Sequence, residues 1–256
     1  MTGLARQRLD AARAAFGADD PRVAPAEITR AAVAVNFGTP DEARTLLAHA
    51  QAMLDRAGDH DSRVRAHLLF WQGAYTRYYE PPRAWDDHPT RHAIQLFRAR
   101  HPDDDQYLEA LLSGAGLACR AGRVEEAAAM TEELQRRAAA RYGPDTLFTA
   151  MALAARGNLL LRSGHAAEAI PVVEQAIAGF QRFVGADSQD VILAQAMLAQ
   201  ANLTAGRADE AQRIFDAAQQ RVTAVHGSDA RLVQTMARHA VTLDKIRAGQ
   251  FMHCGE

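Results

Sequence analysis

The chain is poor in several residue types, and each shortage excludes something. Lys245 is the only lysine among 29 basic residues, and no block of cations forms a stripe of the kind that binds nucleic acid or a membrane surface. Acids and bases are interspersed, with a formal net charge of −2. Cysteine is nearly absent. Cys119 and Cys254 are too few for a metal framework, and a disulfide scaffold is not expected of them. No apolar run approaches the roughly 18 residues that span a bilayer. The opening stretch MTGLARQRLDAARAAFG is arginine-rich without a long apolar centre, which does not fit a secretory leader. A cytoplasmic location is therefore expected. The dominance of arginine over lysine fits a GC-rich, bacterial coding bias. Aromatics are scarce at 6 %. No glycine-rich phosphate loop, nucleophile elbow or HExxH pair is present, so catalysis has no foothold and no cofactor is implied.

What the chain has is alanine, 55 residues of 256, with apolar residues at 48 % overall. Alanine is the best helix former, and small side chains let helices lie close together. A repeat organises them. The segments FGTPDEA, AGRVEEA, SGHAAEA and AGRADEA carry Gly38, Gly122, Gly164 and Gly206, separated by 84, 42 and 42 residues. A second set lies half a period away, at Gly17, Gly143, Gly185 and Gly227, each in a GxD triplet. His101 holds that phase without the glycine. A period of this length marks a solenoid of supersecondary units. Each glycine ends a helix by adopting positive φ, and the acid that follows it is expected to cap the next helix. Between them lie helices of about 17 residues with apolar residues every three to four positions, as in Ala166, Ala169, Ile170, Val173, Ala176, Ile177 and Phe180. Pro171 is expected near a first turn, where its missing N–H costs least. Strand-type alternation is absent.

The motif G-x-x-x-E-A, with a small residue seven positions before its glycine and an alanine seven after its alanine, resembles the tetratricopeptide repeat (TPR). Gly157, Gly164, Ala169 and Ala176 carry it in one unit, and Ala199, Gly206, Ala211 and Ala218 in the next. The period of 42 resembles the longer kinesin-light-chain subtype. The resemblance implies an all-α, right-handed superhelical solenoid of antiparallel helix pairs. It would comprise a half unit at 1–17, units at 18–58, 59–101, 102–143, 144–185 and 186–227, and a half unit at 228–250. The tail 251–256, FMHCGE, fits no unit. Half units expose uncapped faces, as in a piece of a longer protein or ends that self-assemble.

The resemblance further implies a protein or peptide partner held in a concave groove lined by the first helix of each unit, in a scaffold or regulatory part of a bacterial signalling protein. A domain sensing a peptide or small ligand is the alternative. The groove phase carries Arg77 and Tyr78 in the second unit, Arg120 in the third, Asn158 and Arg162 in the fourth, and Gln200 in the fifth. Arg120 and Arg162 lie 42 apart, on one side of neighbouring helices, where they could grip a carboxylate or peptide backbone; equally, they could only be solvated arginines at helix C-termini. The basic position of the two-carboxylate clamp holds Leu112, Ala154 and Ala196, so that clamp is not expected.

One segment breaks the repeat. In YYEPPRAWDDHPTRH, Glu80 stands where glycine is due and three prolines oppose the second helix. A loop over 80–88 is expected, with the helix starting at Pro89. Both tryptophans, Trp71 and Trp85, lie in or beside it. They could form a binding surface with the loop, or fill volume left by a shortened helix. His88 and His92 do not supply a metal site, since no further ligand is placed with them. Cys119, on an apolar helix, reads as a core residue and not as a nucleophile.

Overall fold

The computed structural model describes residues 2–226, 230–251 and 253–255. Gly227 and Asp229 of the last GxD triplet lie outside them. Twelve α-helices and two short 3-10 turns, without a strand, account for the regular structure of the described residues. Two compact units are present, Met1–Gly114 and Ala115–Glu256, and the division falls inside one helix.

The first unit contains α1 (Thr2–Phe16), α2 (Ala24–Phe37), α3 (Pro40–Arg56), α4 (Arg63–Tyr79), α5 (Pro89–Arg100) and the start of α6 (Asp105–Arg120). Helices α2 and α3 pack on each other, as do α4 and α5, and α2 also meets α4. Their core combines Val23, Ile28, Leu47, Met53 and Leu68. α2 ends at Gly38 with φ 77°, ψ 35°, the left-handed cap that a glycine adopts without steric cost. Gly73 sets the spacing of α4 and α5, because a Cβ there would lie 2.1 Å from Thr90 Oγ1 and 2.8 Å from its backbone nitrogen.

The second unit holds the end of α6 and then α7 (Val124–Tyr142), α8 (Leu147–Arg162), α9 (Ala166–Val184), α10 (Gln189–Thr204), α11 (Ala208–His226) and α12 (Ala230–Arg247). α8 packs on α9, α9 on α10, and α10 on both α11 and α12. The buried face of α9 is the one its sequence spacing marks: Ala166, Ala169, Ile170, Val173, Ala176, Ile177 and Phe180.

Three expectations are corrected. Asp145 and Asp187, the acids after Gly143 and Gly185, do not cap. Thr146 forms a capping box with Thr149, and Ser188 accepts from Val191 N–H. The acids instead reach cations of the second-type helices, Asp145 to Arg182 and Asp187 to Arg221. The two glycines have ψ of 165° and 156° with positive φ, a region open essentially to glycine alone, and this aims the chain so that the hydroxyl and not the acid faces the helix end. Pro171 is the sixth residue of α9, beyond the first turn, and so removes one interior hydrogen bond. The third concerns the cysteines: Cys119 and Cys254 are joined in a disulfide across 135 residues.

The interrupted segment contains a 3-10 turn at Trp85–Asp87, and α5 begins at Pro89. Trp85 is 4 % exposed and stacks on the equally buried His88, whose Nδ1 accepts from Thr90 N–H at the start of α5. Nearby, Tyr79 donates its hydroxyl to Val35 O at 2.8 Å.

Candidate functional site

A cavity of about 380 Å³ opens in the second unit. Its walls come from the first helix of successive repeats and from the stretch after α12. α6 gives Arg120, α8 gives Asn158, Leu161 and Arg162, and α10 gives Gln200. α12 gives Thr235, Arg238, His239 and Thr242, and Phe251 closes one side. Its described lining residues include three guanidinium groups and no carboxylate. These positions converge because the residues recur at the same phase of neighbouring helices, so one side chain per turn faces the same space.

Hydrogen bonds orient the far wall. Arg238 donates to Thr235 Oγ1 at 2.9 Å. Gln200 Nε2 lies 2.6 Å from His239 Nδ1. Burial pushes the His239 pKa down, and the Arg238 charge adds to that, so the ring is held neutral and Nδ1 can accept from the Gln200 amide. The described lining thus combines arginines and hydrogen-bonding side chains with an apolar wall of Leu161 and Phe251.

Near the arginines lies a peptide group of the chain itself. Arg162 donates from its guanidinium to the His253 carbonyl at 3.0 Å, and its own carbonyl accepts from Cys254 N–H at 3.0 Å. Both ends of the 253–254 peptide bond are therefore held by one residue. The carbonyls of a last helical turn lack partners within their helix; Arg162 ends α8, and the segment satisfies its carbonyl. Phe251 packs on the core cluster that contains Leu161, Val173 and Leu198. Gly255 meets the backbone of Gly122 in the turn after α6.

Of the residues expected in the groove, Arg120, Asn158, Arg162 and Gln200 line this one cavity. Arg77 and Tyr78 belong to the first unit, where both are exposed and the guanidinium sits 5.4 Å from the ring centroid. Trp71 is half-buried and lines a separate cavity of about 410 Å³ with Pro25, Ile28, Arg63, Val64 and His67. Trp85 is inside the fold, packed as filler, and offers little surface. Sequence reasoning missed Thr235, Arg238 and Thr242, although a signal existed: one further step of 42 from Leu193, Ala196 and Gln200 lands on them. Among the described residues no group of three or more His, Cys, Asp or Glu is arranged to hold a metal ion, and no helix is long and apolar enough to cross a membrane.

Comparison with known proteins agrees with this architecture. Residues 106–182 match the tetratricopeptide repeat family model. A crystal structure of the nearly identical TPR-like repeats of a protein from Podosopora anserina, described as a kinesin light chain, superposes with a TM-score of 0.62 at 16 % identity, covering 80 % of this chain and 97 % of that one. The fold is TPR-like. A second structure of those repeats gives a TM-score of 0.60 at 16 % identity, covering 79 % and 96 %. No curated protein matches the chain. Repeats of the TPR type generally serve protein–protein interaction and carry no chemistry of their own. In this TPR-like chain the cavity lies among first helices, the elements that α2–α4 and α10–α12 contacts bring side by side.

Proposed function

We propose that the chain is a peptide-binding module and that the cavity of the second unit is its site, with Arg120, Arg162 and Arg238 receiving acidic groups and Asn158 and Gln200 meeting the peptide backbone. The observation that carries the reading is the convergence of Arg120, Arg162 and Arg238 with Asn158 and Gln200 on one cavity. Guanidinium groups pair with carboxylates through two parallel hydrogen bonds, which favours an acidic peptide over a neutral one. Phe251, seated on the core beside the arginines, marks where an aromatic side chain of a partner would go. Arg77, Tyr78 and Trp71 would extend contacts to a larger protein from the first unit. The role fits a scaffold or regulatory part of a bacterial signalling protein and requires no cofactor or catalytic residue.

The test is fluorescence anisotropy with a labelled FDEDGE peptide and a neutral FNQNGQ control, on the chain with its disulfide closed and again after reduction. The acidic peptide is expected to bind. The variant Arg120→Glu, Arg162→Glu should lose about 10- to 100-fold in affinity, the worth of one or two charge-assisted hydrogen bonds. Circular dichroism must show an unchanged helix content. Equal affinity for both peptides, or no loss in the variant, would remove this site from consideration.

A further inference from the structure

Resting on that reading, we infer that Phe251 and the residues His253–Gly255 are an intramolecular occupant of the groove, latched by the Cys119–Cys254 disulfide and released when a dithiol reduces it. The segment sits as a bound peptide would. Its half-buried ring packs against the core cluster, and two residues further on its backbone is gripped at both ends of one peptide bond by Arg162. Phe251 forms a wall of the cavity, so its departure widens the space beside Arg120 and Arg162. Among the described residues its contacts include that ring, one peptide group, the approach of Ser163 Oγ to Cys254 Sγ and a glycine–glycine approach. The covalent bond is what keeps so short a segment in place, because it turns a weak contact into one of high effective concentration.

The two sulfurs differ in access. Cys119 is 3 % exposed, while Cys254 is only half-buried. A dithiol approaching from solvent meets Cys254 Sγ first. Its thiolate attacks that sulfur, the S–S bond breaks, and Cys119 leaves as a thiolate that takes up a proton. The second thiol of the reductant then attacks the mixed disulfide, Cys254 leaves as a thiol, and the reductant departs as a cyclic disulfide. Two electrons and two protons pass to the protein. The segment, no longer tethered, competes with free ligand only through its own contacts. Oxidation closes the groove and reduction opens it.

The experiment uses the full chain in three forms: treated with glutathione disulfide, treated with dithiothreitol, and as Cys254→Ser. The mass of the oxidised form and its lack of alkylatable thiols establish the bond. Binding of the FDEDGE probe should be about tenfold or more tighter in the reduced form than in the oxidised one, because a site closed to ligand lowers apparent affinity by its open fraction. Cys254→Ser should match the reduced form under either treatment. Hydrogen exchange should show the Cys254 amide, bonded to the Arg162 carbonyl, protected only when oxidised. Two alkylatable thiols after glutathione disulfide, or exchange protection that survives reduction, would overturn the latch. Equal probe affinity in both redox states would overturn it too, yet leave the groove standing. If the probe binds in neither state, the groove reading fails and takes the latch with it.

Discussion

The two cavities make an instructive pair. Both are faced by first-type helices, and their volumes are close, about 410 Å³ in the first unit and about 380 Å³ in the second. Their chemistry is opposite. In the first, Arg63 and His67 are both paired with Asp104, a nearly buried carboxylate just before α6, and the remaining walls are largely apolar. In the second, Arg120, Arg162 and Arg238 line the space, and none of its described lining residues is an acid. One repeat position contributes to the difference. Ser62, Asp104, Thr146 and Ser188 follow one another at steps of 42, each just before a first-type helix. Three carry a hydroxyl that only caps. Asp104 also accepts from Gln106 N–H at 2.8 Å, and in addition neutralises the cations beside it. Burial pushes its pKa up, but hydrogen bonds from His67, the Gln106 amide and Arg63 outweigh that and leave it lowered, so it is ionised at neutral pH. A solenoid can thus retune a groove at a cap without touching the groove-facing helix.

The comparison can be broken from either side. The largest effect is expected in the second unit: reducing the disulfide, which closes a loop of 135 residues, should cost about 2–4 kcal/mol, read as a lower melting temperature for that unit by calorimetry. Next comes helix spacing. Gly73→Ala places a methyl on Thr90 backbone and should cost about 1–3 kcal/mol, whereas Gly116→Ala, whose Cβ meets nothing nearer than 3.8 Å, should gain about 0.5–1 kcal/mol, since glycine is disfavoured inside a helix. Urea melts of the two variants should move in opposite directions. A smaller change follows Asp104→Ser, which gives α6 the cap of its neighbours. Stability should drop by about 1 kcal/mol, and the first cavity, now cationic, should acquire affinity for the acidic probe. Should it remain blind to the probe, cap identity does not decide groove chemistry.

The smallest effect is the pH slope that His49 gives the first unit, opposite in sign to the one the lowered pKa of His239 gives the second. Hydrogen bonds to Glu27 and then Asp19 raise the His49 pKa from 6.5. The folded state therefore keeps a proton that the unfolded chain has lost. The stabilisation is complete below the ordinary histidine value and fades as pH rises through the folded one. The melting temperature of the first unit should decline between pH 6 and pH 8, and His49→Gln should flatten that decline.

Much of the fold was legible because glycine at a helix end is a backbone requirement and its recurrence is visible without knowing what packs on what. Gly38, Gly122, Gly164 and Gly206 all adopt positive φ where the repeat places them. The convergence of Arg120, Asn158, Arg162 and Gln200 was legible for the same reason, since a common phase on neighbouring helices is a statement about rotation alone. Asp145 and Asp187 were misread because GxD names an acid near a helix start without saying which way the preceding backbone turns. Trp85 could not be placed as filler, since the volume left by a shortened helix depends on its neighbours. The disulfide was illegible: Cys254 lies outside the period, and no repeat arithmetic relates it to Cys119.

The link between Cys119 and Cys254 also sets how this chain carries load. A pull along the chain passes from residue 119 through the two sulfurs to residue 254, so the helices between feel no tension while the bond is intact. That loop of 135 residues stores about 450–490 Å of slack, released only by a reductant. Stretched under oxidising conditions, the protein extends only through the residues outside the loop; under reducing conditions the loop adds nearly fifty nanometres.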